Sequence, residues 1–152
     1  MDRSLYDKKL EDIRGALRSA EGFSYPLPAE NKDLDNEDYG FEIEGVGAAA
    51  LRIKVFLKAT SMKMQTEIRA RGKSEAARIQ RHFDTLGYDV LRKDHAFLPS
   101  LWQRKNMTDS VSELVERILI LVDMLEAQTP EELSQAALGI LKQHTKKGEK
   151  KQ

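Results

Sequence analysis

FEIEGVGAAALRIKVFLKATSMKMQTEIRAR, residues 41–71, decides the fold class. Within it Leu51, Ile53, Val55 and Leu57 alternate with Arg52, Lys54, Phe56 and Lys58. Successive side chains of a strand point to opposite faces, so one row can bury while the other stays wet. Phe41 and Ile43 against Glu42 and Glu44 begin the same rhythm. Met62, Met64, Thr66, Ile68 and Ala70 against Lys63, Gln65, Glu67, Arg69 and Arg71 continue it. The links between these runs are short, whereas a parallel pair needs a long crossover. Strands at 39–45, 51–58 and 62–71 are therefore expected to form an antiparallel meander with a dry face and a charged one. Glu42 and Glu44 are expected to lie opposite Arg52 and Lys54.

Helices flank the meander. Tyr6, Leu10, Ile13 and Leu17 recur at spacings of 4, 3 and 4, which predicts an amphipathic helix over 3–20. Residues 22–38 carry two prolines and an acidic run and read as a loop. Beyond Gly72, Ser74 is a competent cap for a helix over 75–86 with Ala76, Ile79, Phe83 and Leu86 on its apolar stripe. Gly87 is its expected stop. Residues 88–91 and LPSLWQRK (98–105) read as two further extended segments, the second placed at an edge because Pro99 lacks a ladder donor. Ser110 with Glu113 fits a capping box for a helix over 110–126, whose ILILV (118–122) is apolar nearly all round. Thr129, Pro130, Glu131 and Glu132 start another helix, over 130–143. The sum is an α+β fold: one domain over 1–143, an antiparallel sheet of about five strands with helices on one face, and a disordered basic tail at 144–152.

Composition bounds the function. The chain has 152 residues, enough to bury about 70% of its unfolded surface as one domain. It lacks cysteine, which removes disulfides and thiolate chemistry and suits a cytoplasmic protein. No apolar run approaches a membrane span, and the charged N-terminus lacks the apolar core of a signal peptide. Its 25 basic residues balance its 25 acidic ones, but unevenly along the chain. Residues 1–51 hold six bases and twelve acids, 52–105 thirteen and five, and 106–152 six and eight. An acidic–basic–acidic order either pairs across one body or leaves a basic surface for an anionic partner.

No phosphate-binding, zinc-protease or nucleophile-elbow motif is present, and His82, His95 and His144 share no ligand spacing. His82 is expected on a solvated helix face and His95 in a turn. No metal, cofactor or catalytic residue is assigned. Glu42 and Glu44 share a strand face about 6–7 Å apart, a spacing open to a small hydrolase or nuclease, with Glu67 a further carboxylate. That is the third reading. The second is nucleic-acid binding through Lys58, Lys63, Arg69 and Arg71 by charge and stacking. The first is a non-enzymatic, protein-binding module that uses its charged sheet face or edge. Phe56, Trp102, Arg52, Lys54 and Arg104 are its expected contacts, since aromatic residues and arginine carry interface energy. Self-association as a homodimer is expected through ILILV, and no membrane is expected as a partner.

The order helix (Tyr6 to Leu17), three strands (39–45, 51–58, 62–71), helix (75–86), two strands and helix (110–126) resembles that of bacterial type III secretion chaperones and related chaperone-like domains. The likeness spans about residues 3–127, with the helix at 130–143 as an addition. It implies a non-enzymatic protein that holds another chain through its sheet surface or edge, commonly as a dimer. Those chaperones are typically acidic, whereas this chain is neutral with a basic middle.

Overall fold

The computed structural model describes residues 3–21, 23–30, 39–46, 49–57, 62–87, 90–99, 107–136 and 138. Helix α1 (Arg3–Ser19) is followed by strands β1 (Ala29–Glu30), β2 (Tyr39–Val46), β3 (Ala49–Leu57) and β4 (Met62–Ala70). Next come α2 (Lys73–Leu86), β5 (Val90–Lys93), β6 (Ala96–Pro99), β7 (Met107–Thr108) and α3 (Val111–Glu126). A further helical stretch, α4, covers 130–136. The strands run antiparallel in the order β1-β2-β3-β4-β6-β5, with β7 also on β4. This is the expected α+β fold. Four of its strands are those anticipated; β6 overlaps the expected 98–105 segment only at Leu98 and Pro99, residues 100–105 lie outside the described residues, and β1 and β7 are two-residue additions.

The period-2 rhythm folds as anticipated. Ile43, Leu51, Ile68 and Phe97 form one cross-strand row, and Phe41, Ile53 and Thr66 form the next. All of these are buried. Tyr6, Leu10, Ile13 and Leu17 of α1 and Leu114, Ile118, Leu121 and Leu125 of α3 close the same core, which extends to Leu133 and Ala136. The Tyr6 hydroxyl donates to the Gly40 carbonyl at 2.9 Å, fixing α1 over β2. Hydrophobic burial on this face is the main stabilising term, because each fully buried branched or aromatic side chain contributes about 1.5–3 kcal/mol.

Several local details differ from the sequence reading. The register places Glu42 opposite Arg52 but Gly40 opposite Lys54, because antiparallel partners step in opposite directions and the ladder shifts between Ile43 and Val46. Gly45 stands at that shift with φ 76°, a left-handed conformation glycine adopts without a Cβ clash. Helix α2 starts at Lys73 with Gly72, not Ser74, in the capping position, and no side chain caps it. Gly87 does stop it, in the left-handed conformation, with its N–H on the Phe83 and Asp84 carbonyls. The second hairpin strand is Ala96–Pro99, and it lies inside the sheet between β4 and β5. Pro99 is tolerated there because pairing to β4 ends at Phe97. The loop before β2 contributes β1, paired through Ala29 and Glu30 to Glu42 and Phe41. Ser110 caps α3, accepting from the Glu113 N–H at 3.2 Å. Thr129 accepts from the Glu132 N–H at 3.1 Å to start α4. The tail at 144–152 lies outside the described residues.

Candidate functional site

The helices leave the second face of the sheet to the polar rows. Here Glu42, Arg52 and Glu67 stand side by side on β2, β3 and β4. Arg52 approaches Glu42 at 3.9 Å, and the Lys54 ammonium lies 3.6 Å from the Glu67 carboxylate. Arg71 reaches back to both Glu42 and Glu44. The floor of this layer is buried: Glu67 is only 4% exposed and Gln65 9%. Burial and the adjacent Glu44 carboxylate push the Glu42 carboxyl upward. Glu44 is held down by the hydrogen bond from Glu42 and by the Arg71 guanidinium.

Where β4 meets the β5–β6 hairpin, the polar face deepens into a groove of about 840 Å³. Its floor carries the Lys54–Glu67 pair, its sides Arg69, Arg71 and Lys93, and its apolar wall Leu91 and Leu98. The hairpin turns through Asp94, at φ 56°, and His95, whose carbonyl accepts from the Ala70 N–H at 2.8 Å. That bond ties the turn to the end of β4. Beside the groove, β5 is the outer strand of the sheet, and its Leu91 is 67% exposed.

The structure sorts the residues expected from sequence. Arg52 and Lys54 lie on the polar face, each beside a carboxylate. Phe56 stands in β3 opposite Lys63, its side chain outside the described part. Trp102, Arg104 and Lys58 lie outside the described residues. Lys63 is held by Asp109 at 3.2 Å, and that contact lowers the Asp109 carboxyl. Arg71 is engaged by two glutamates, whereas Arg69 is exposed and makes no ion pair among the described residues. Glu42 and Glu44 converge on Arg71, and of the three strand carboxylates Glu67 alone lines the groove. His82 is only partly solvated. It is half-buried, with Nε2 3.3 Å from the Ala127 carbonyl and 3.1 Å from Arg78.

Sequence reasoning missed Leu91, Lys93 and Leu98. Their signal was the alternation of 90–93 and 96–99, hidden because these strands have only four residues each. In ILILV, Ile118, Leu121 and Val122 are buried within this chain, and Leu119 and Ile120 are half-buried. Among the described residues, no group of three His, Cys, Asp or Glu side chains could hold a metal ion. No helix among them is long and apolar enough to cross a membrane. Comparison with protein-family models, with curated proteins and with solved structures found no match to this chain.

Proposed function

We propose that this chain is a protein-binding module, an adaptor or chaperone-like domain that holds an extended segment of another polypeptide on the polar face and β5 edge of its sheet. The observation that carries this reading is the groove of about 840 Å³ between β4 and the β5–β6 hairpin, which adjoins an outer strand. An outer strand presents backbone donors and acceptors that an added strand satisfies, and a groove beside it supplies side-chain selectivity. Apart from the two-residue strands β1 and β7, the observed order through α3 is the one that resembles type III secretion chaperones, which supports the same reading. A non-enzymatic role, a cytoplasmic setting and self-association belong to this proposal. Dimerisation through 118–122 would use Leu119 and Ile120, the two members of that stretch not fully covered.

A peptide-display selection against the folded protein tests it, with bound peptides mapped by backbone amide shifts. Enriched peptides that perturb β4, β5 and β6 support the reading. A selection that enriches nothing, or peptides that map to α1 and α3, would overturn it.

A further inference from the structure

Arg69, Ala96 and Lys93 form one row across β4, β6 and β5. The two cations stand two strand spacings apart, about 10 Å, with only a methyl group between them. Both are exposed, and neither makes an ion pair among the described residues. One step along the same face, Leu98 pairs with Leu91 to make an apolar row. We infer that this pair of rows recognises an acidic segment in extended conformation, its carboxylate seated over Ala96 between Arg69 and Lys93 and an apolar side chain two residues away on Leu98 and Leu91. This deepens the protein-binding reading and rests on it.

The spacing argument is direct. Ala96 and Leu98 are two residues apart on β6, so their side chains rise from one face about 6–7 Å apart. Same-face side chains of an extended ligand repeat at that distance. The ligand pattern is therefore acid, any residue, large aliphatic. Charge complementarity gives the sign: the other groove cations are already matched, Lys54 by Glu67 and Arg71 by Glu42 and Glu44. Peptide is favoured over nucleic acid because the wall is aliphatic and, His95 apart, no ring side chain among the described residues lines the groove for base stacking.

The test uses the full chain and a labelled, end-blocked peptide repeating Ser-Glu-Ser-Leu, followed by fluorescence anisotropy at low salt. Its comparators replace Glu by Lys, place Glu next to Leu so the two face opposite ways, or substitute a short oligothymidylate. Saturable binding of the first peptide alone, weakened about tenfold by Arg69→Glu or by Lys93→Glu, supports the inference. Circular dichroism checks that both variants stay folded, and Lys93→Arg should restore binding. Equal binding of the lysine or adjacent-residue peptide overturns it, as does oligothymidylate binding that depends on Arg69 and Lys93. Absence of binding by the first peptide overturns it too. If display selection still enriches other peptides on β4–β6, the broader protein-binding reading survives while this inference falls.

Discussion

Arg78 of α2 donates from Nη2 to the Leu125 carbonyl in the last turn of α3, at 2.7 Å. The same guanidinium grips Glu75 through two hydrogen bonds, so one side chain closes a helix end and neutralises a buried carboxylate. The C-terminus of a helix carries partial negative charge on its free carbonyls, and a cation there is favourable. Replacing Arg78 by Ala should lower stability by about 2–3 kcal/mol, since Glu75 would be left buried and unmatched. Arg78→Lys should recover only part of this, because a lysine lacks the planar fork. Denaturant midpoints measure both, and an unchanged midpoint for the alanine variant would refute this account of α2 docking.

His82 links pH to the same junction. Burial lowers its pKa, the Arg78 and Arg81 guanidinium groups lower it further, and the Ala127 carbonyl and Glu75 oppose them. A histidine held below its ordinary value takes up its proton more readily when unfolded. Stability is then fully present above about pH 6.5 and falls as pH drops below that value toward the folded pKa. The window disappears in His82→Gln. Unfolding curves between acid and neutral pH should show the slope in the parent and not in the variant.

The two faces of β3 should respond differently to truncation. Leu51→Ala and Ile53→Ala each remove a fully buried side chain and should cost about 2–5 kcal/mol. Lys54→Ala leaves the dry face untouched but leaves the buried Glu67 without its cation, so it should cost about 1–2 kcal/mol, less than either core truncation. Similar losses on both faces, read from urea midpoints, would contradict the burial pattern.

Arg71 sits half-exposed between two carboxylates, so its removal should change stability by under about 1 kcal/mol. Its effect on acidity is the sharper signal. Without the guanidinium, the Glu44 carboxyl should titrate higher and the Glu42 carboxyl, already raised by burial, higher still. Carboxyl carbon shifts followed against pH in Arg71→Ala measure both movements.

Much of the fold was legible because burial and local pattern agree. Tyr6, Leu10, Ile13 and Leu17 repeat at helical spacing and all bury; Leu51, Ile53 and Val55 repeat at strand spacing and all bury. Gly87 and Ser110 act as the stop and the cap their chemistry suggests. The site was harder to see. Arg69 was named among many basic residues, but nothing local distinguishes it from Lys63, whose partner Asp109 is 46 residues away. Arg117 is fully buried beside Glu113 although a charged side chain in a helix reads as solvated. His82 likewise depends on a carbonyl 45 residues distant. The groove itself arises from pairing β6 to β4, and that pairing joins segments separated by a whole helix.

Thiol accessibility probes the Arg69–Lys93 stretch of the polar face most directly, and the native chain offers no cysteine to confuse it. Single substitutions Arg69→Cys, Lys93→Cys and Ile68→Cys would each be treated with a maleimide in the folded state. Positions 69 and 93 should react at rates near those of a free thiol, while position 68 stays protected until the chain unfolds. Protection at 69 and 93, or rapid labelling at 68, would show that the groove is closed or the two faces are reversed.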